Sequence, residues 1–128
     1  MNKYSISSKK VLSEINSDLQ ILMKMVLPNM DHSLRTGFRN QEEQNKVFAA
    51  GASKKKWPES KHNHLPSDAV DADPYPLKKG RAGKEQSIHF AGYVKGVADV
   101  LYRLGELKKP VRHLGFTSLG DWRHFESY

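Results

Sequence analysis

The chain contains no cysteine, which excludes disulfide staples, thiolate nucleophiles and Cys-based zinc sites together. Any metal must therefore sit on histidine and carboxylate. Long apolar runs are missing as well: after the amino-terminal MNKYSISSKK, the apolar positions are interrupted by Glu14, Asn16, Asp18 and Gln20, so neither a secretory signal core nor a membrane span is expected. Acidic residues are scarce relative to basic ones. The 14 Asp and Glu face 21 Lys and Arg, a net charge of +7, and such a field favours a polyanionic partner or surface, whether nucleic acid, membrane or cell wall. A chain of this kind is expected to be made in the cytoplasm and, for a substrate in the wall, to be carried across the membrane by something else.

What is present fits one folded unit. At 128 residues there is room for a single domain, 1–128, with one core. An apolar content of 38% beside 27% charge is a globular composition and not a disordered one.

Val11, Leu12, Ile15, Leu19, Leu22, Met23 and Val26 recur at three- and four-residue steps, as the buried stripe of one helix requires, and Pro28 ends it. His32 to Phe38 reads as a brief strand running into a turn at Gly37. Asn40 can cap a helix through about Ala50, with Glu42 and Glu43 in its first turn and Gly51 behind it. From Ala52 to Pro66 there is no periodicity, only a lysine run, Trp57, Pro58 and a polar stretch with histidines, so a surface loop is expected. Asp68 to Asp73 reads as a short strand stopped by Pro74 and Pro76, and Lys78 to Lys84 as a basic, mobile connection. Ile88, Ala91, Val94, Ala98 and Leu101 define a second long helix, and Val111–Phe116 and Trp122–Tyr128 two last strands about a turn at Gly120. The order predicts an α+β domain with a small antiparallel sheet packed with helices.

Two polar clusters can carry chemistry. The first is SKHNHLPSDAVDADPYP, residues 60 to 76, and the second GDWRHFE, residues 120 to 126. On an extended segment His124 and Glu126 share a face. A catalytic zinc needs about three protein ligands and an open position, and the sequence supplies such a set only by pooling the clusters. His32, in a turn, His89, on a helix, and His113, in a strand without an acidic neighbour, are read as solvated polar residues.

The phrases Ser60-Lys61-His62, Ala69-Val70-Asp71 and Asp121 with His124-Phe125-Glu126 resemble the two signatures of the D-Ala-D-Ala carboxypeptidase and L-alanyl-D-glutamate peptidase family, which includes phage endolysins. TGFRNQEEQ, residues 36 to 44, resembles its upstream element, so the resemblance runs in order from 36 to 126. It implies the Hedgehog/D-Ala-D-Ala peptidase-like fold, with His62, Asp71 and His124 as zinc ligands, Asp121 as general base and Arg39 steadying the substrate or its developing oxyanion. Ser60 either bonds the substrate near the metal or caps the loop.

The implied activity is hydrolysis of an amide in the peptidoglycan stem peptide, the L-alanyl-D-glutamate bond before the D,D bond. The implied setting is host lysis by a monomeric phage endolysin whose partner is peptidoglycan and not nucleic acid. Two departures from the family pattern stand out. The commoner spacing of seven residues to the Asp would select His64 in place of His62, and Arg123 stands where Pro often precedes the second His. Asp73, two residues beyond Asp71 on the same strand face, is a further candidate ligand. Trp57, Tyr75 and Trp122 either line a groove or pack over the core. A basic metal-dependent nuclease is the alternative from another class, supported by the charge and by His62, Asn63 and His64.

Overall fold

In the computed structural model, which describes residues 1–128, the chain runs α1 (Ile6–Glu14), α2 (Ser17–Val26), β1 (His32–Thr36), α3 (Gln41–Ala49), a 3-10 turn η1 (Lys61–Asn63), β2 (Ala69–Pro74), α4 (Gly80–Arg103), β3 (Val111–Leu114) and β4 (Asp121–Ser127). The four strands form one antiparallel sheet in the order β1-β2-β4-β3. This is the expected α+β class, with β4 inserted between β2 and its own hairpin partner β3.

Two helix boundaries differ from expectation. The first stripe is two helices, because Asn16 leaves the helical conformation and caps α2 by accepting from Leu19 N–H at 2.9 Å. A distant segment reinforces the break: Asn16 N–H donates to Ser67 O at 2.9 Å and Ser67 N–H to Glu14 O at 2.7 Å. The second long helix begins at Gly80, so the basic stretch read as a loop forms its opening turns. Gln86 folds back there, accepting from Lys78 N–H at 2.7 Å and donating to Pro76 O at 2.9 Å. Gly83 permits the turn, since a Cβ at that position would lie 2.0 Å from Lys78 O.

Strand alternation divides the sheet into two functional faces. Leu34, Val70, Ala72, Val111 and Phe125 belong to one buried cluster with Leu19, Leu22 and Met23 of α2 and Phe90, Val94 and Ala98 of α4. Phe90 and Phe125 meet edge-to-face at 5.9 Å between centroids, a favoured aromatic geometry. Truncating a fully buried residue here, such as Leu22 to Ala, would cost about 2–5 kcal/mol. The intervening positions, Asp71, Asp73, His124 and Glu126, project from the other face.

Two histidines serve the core side. His32 is buried, with Nε2 at 2.5 Å from Tyr4 Oη and Nδ1 at 2.8 Å from Met30 O, and burial lowers its pKa. His113 accepts from Gly115 N–H at 3.1 Å and stacks near Trp122 and Phe116. His89 is exposed on α4. No helix is long and apolar enough to cross a membrane.

Candidate active site

Ser60 opens the site's upper wall. Its hydroxyl accepts from His62 N–H at 3.2 Å, and Asn63 Oδ1 returns the bond from Ser60 N–H at 3.0 Å, which closes η1 as a capping box. The turn aims His62 down onto the sheet. There the ring donates from Nδ1 to Gly37 O at 2.7 Å, which leaves the Nε2 lone pair facing inward. Gly37 packs tightly to offer that carbonyl: a Cβ on it would come within 3.1 Å of Ile15 Cγ2 and Val11 O.

The sheet supplies the other two donors. Asp71 on β2 and His124 on β4 are direct cross-strand partners, so their side chains rise side by side. His124 is oriented from behind, its Nε2 at 2.8 Å from Glu126 Oε1. Since the carboxylate can only accept, the ring proton sits on Nε2 and Nδ1 presents its lone pair to Asp71 and His62.

The three inward atoms form a nearly equilateral triangle: His62 Nε2 to Asp71 Oδ1 3.2 Å, His62 Nε2 to His124 Nδ1 3.2 Å, and His124 Nδ1 to Asp71 Oδ1 3.3 Å. A tetrahedral ion with bonds of about 2.0–2.1 Å separates its donors by about 3.3–3.4 Å, so the spacing fits a first-row metal ion. The chemistry fits too. Two neutral imidazoles and a carboxylate turn three electron pairs toward one point with no proton between them, an arrangement that calls for a cation.

Without a metal, a proton is the substitute. Burial works against charge on His124, but its bonds to Asp71 and Glu126 outweigh this and raise its pKa to about 9. Burial likewise opposes ionisation of Asp71, yet the two imidazoles beside it, His124 first, hold it well below the usual carboxylate range. Glu126 is drawn down to about 2 against the burial effect, by His124, Arg112 and Lys61.

The triad opens into a cleft of about 370 Å³ that also presents Arg39, Ser60 and Asp121. Arg39 donates from Nη1 to Gln44 Oε1 at 2.8 Å, and its Nη2 lies 3.9 Å from Asp71 Oδ2. Asp121 begins β4 on the cleft wall, outside the triad, and accepts from Arg123 N–H at 3.1 Å. His64 is exposed and stands outside the triad. Asp73 is held by Arg35 at 3.2 Å and Arg123 at 2.5 Å, and so is not a donor. Trp57, Tyr75 and Trp122 do not line the cleft; Trp122 packs on the core.

Two residues of the site had no role assigned from sequence. Glu126 stands in the sequence within the phrase His124-Phe125-Glu126 and on the face of His124, and strand alternation is the signal for its part behind the ring. Gln44 is fully buried, and in the sequence it has no signal beyond its place in TGFRNQEEQ. Its amide accepts from Arg39 and Asn63 and donates to Ser53 and to Lys55 O.

Comparisons with known proteins bear on the fold and the family. No curated protein matches the chain. Among solved structures, the Serratia marcescens L-Ala D-Glu endopeptidase ChiX shares the fold at a TM-score of 0.72, with 22% identity over 99% of this chain and 91% of that one. The profile of the phage L-alanyl-D-glutamate peptidases matches residues 1–123, and the chain belongs to that family.

Proposed function

We propose that this protein is a zinc-dependent endopeptidase that hydrolyses the L-alanyl-D-glutamate amide of the peptidoglycan stem peptide, acting as a monomeric endolysin in host lysis after release across the membrane. The observation that carries the reading is the triangle of inward lone pairs on His62, Asp71 and His124. Zinc held there would polarise the scissile carbonyl and make water acidic near neutral pH.

The remaining roles fall to residues of the same cleft. Asp121, half-buried on the wall, takes up a proton during attack and returns it to the leaving amine. Arg39, with its head fixed by Gln44, stabilises the oxygen that becomes negative. The hydroxyl hydrogen of Ser60, whose oxygen already caps η1, is free to bond the substrate backbone. Family membership favours the L-alanyl-D-glutamate bond over the D,D bond.

The test is purified protein on isolated cell wall, with and without chelator, with mass analysis of the released muropeptides. The expected result is new amino-terminal D-glutamate, abolished by chelation and by His124→Ala and restored to the chelated wild type by zinc. Cleavage undiminished after metal removal would overturn the reading.

A further inference from the structure

The lysine run 54–56 divides by structure. Lys56 turns away from the cleft and lies over the Phe48 ring, 5.4 Å from its centroid, whereas Lys54 and Lys55 line the cleft. Neither of these two takes part in any ion pair of the chain. Lys61, the other lysine of the cleft, is already engaged by Glu126 at 3.4 Å and Ser127 O at 2.5 Å.

The backbone under the two free lysines is anchored. Ala52 and Ser53 N–H both donate to Val47 O, at 2.9 and 3.1 Å. Gln44 Nε2 donates to Lys55 O at 2.6 Å while its Oε1 accepts from Arg39. One buried amide thus ties the loop to the guanidinium beside the triad, and three cations, Arg39, Lys54 and Lys55, line the same cleft from a prearranged frame. Prearrangement matters, since an ordered loop loses less freedom when it binds.

The substrate class proposed above carries a matching anion. Where a stem peptide runs on through the γ-carboxyl of D-glutamate, the α-carboxylate of that residue is free, and it sits on the carbon that bears the leaving nitrogen. Cleavage of that amide brings the carboxylate into the same cleft as the metal triad. We propose that Lys54 and Lys55, held by Gln44 beside Arg39, form the recognition wall for this carboxylate and make the enzyme selective for D-glutamate over its α-carboxamide. The proposal rests on the peptidase reading and adds the specificity element to it.

The test uses the full-length metal-loaded protein and two synthetic stem peptides that differ only in a free or amidated α-carboxyl on D-glutamate. The wild type is expected to show a kcat/KM ratio of about five to ten in favour of the carboxylate, the effect of two exposed charge pairs, narrowing as salt is added. In K54Q/K55Q the ratio is expected to fall toward one, whereas K78Q/K79Q, with the same charge loss outside the cleft, leaves it unchanged. A wild-type ratio near one, an equal loss on both peptides in K54Q/K55Q, or an equal fall of the ratio in both double variants overturns the proposal while leaving the peptidase reading standing. Cleavage of neither peptide overturns both.

Discussion

Strand β2 carries two aspartates on one face, two residues apart, and they meet opposite surroundings. Asp73 is buried and receives Arg35 and Arg123, so its charge is answered by cations of the chain. Asp71 faces two imidazole nitrogens whose protons are bonded elsewhere, with Arg39 only at 3.9 Å. The lesson is that residue type and strand position do not make a ligand. What marks a candidate is a neighbourhood of aligned lone pairs that no close cation of the chain answers.

Paired substitution should separate the two ends most sharply. Asp71→Asn is expected to lower wall cleavage by about a thousandfold or more, because several kcal/mol of Lewis-acid assistance depend on the ion it helps to hold. Asp73→Asn should instead lower unfolding stability by about 1–3 kcal/mol and retain metal binding. Metal titration and urea unfolding of both variants decide the point, and equal metal loss in the two would break the comparison.

The next effect tests the support behind the triad. Glu126 holds the His124 tautomer that frees Nδ1. Glu126→Gln is expected to weaken metal affinity by about 10- to 100-fold, the usual cost of losing a partner behind a ligand. Competition with a chromogenic chelator measures it, and unchanged affinity would show that the bond to Glu126 does not orient the ring.

Much of this contrast could be read from residues alone, and the reasons for the rest are physical. Asp71 and His124 are named by the family resemblance, which short contiguous phrases carry, and period-two alternation adds only that Glu126 shares the face of His124. The choice between His62 and His64 could not be read there, because it depends on a carbonyl 25 residues away, Gly37 O, and on the cap formed by Ser60 and Asn63. The break after Ile15 was hidden for the same reason: the apolar stripe continues through it, and the bonds that fix it come from Ser67. Asp73 looked like a ligand because its arginines lie on other strands.

Protonation offers a milder probe. In metal-free protein His124 is raised from 6.5 to about 9, so its contribution to stability is complete below pH 6.5 and is lost as pH rises through about 9. Glu126 is lowered from 4.5 to about 2, so its contribution is complete above pH 4.5 and is lost as pH falls through about 2. Both operate together between pH 4.5 and 6.5, where urea midpoints of chelated protein should peak. Bound metal should add more at alkaline pH, since His124 must first release its proton to become a ligand. Asp73→Asn should leave the shape of the curve intact, whereas Glu126→Gln should flatten it.

The smallest effect concerns Arg123, which stands between the two ends. Its guanidinium closes on Asp73 while its backbone N–H donates to Asp121 at 3.1 Å. Arg123→Ala removes only the side chain. With Arg35 still on Asp73 and Arg123 itself half exposed, the stability loss should stay near 1 kcal/mol or below, with catalysis retained. Arg123→Pro removes the N–H as well, so Asp121 loses the donor that holds one of its oxygens. If that bond matters to Asp121 as a base, kcat should fall in the proline variant and not in the alanine variant, with KM little changed in either. Equal kcat values would place Asp121's orientation elsewhere and leave Arg123 as a clamp on Asp73 alone.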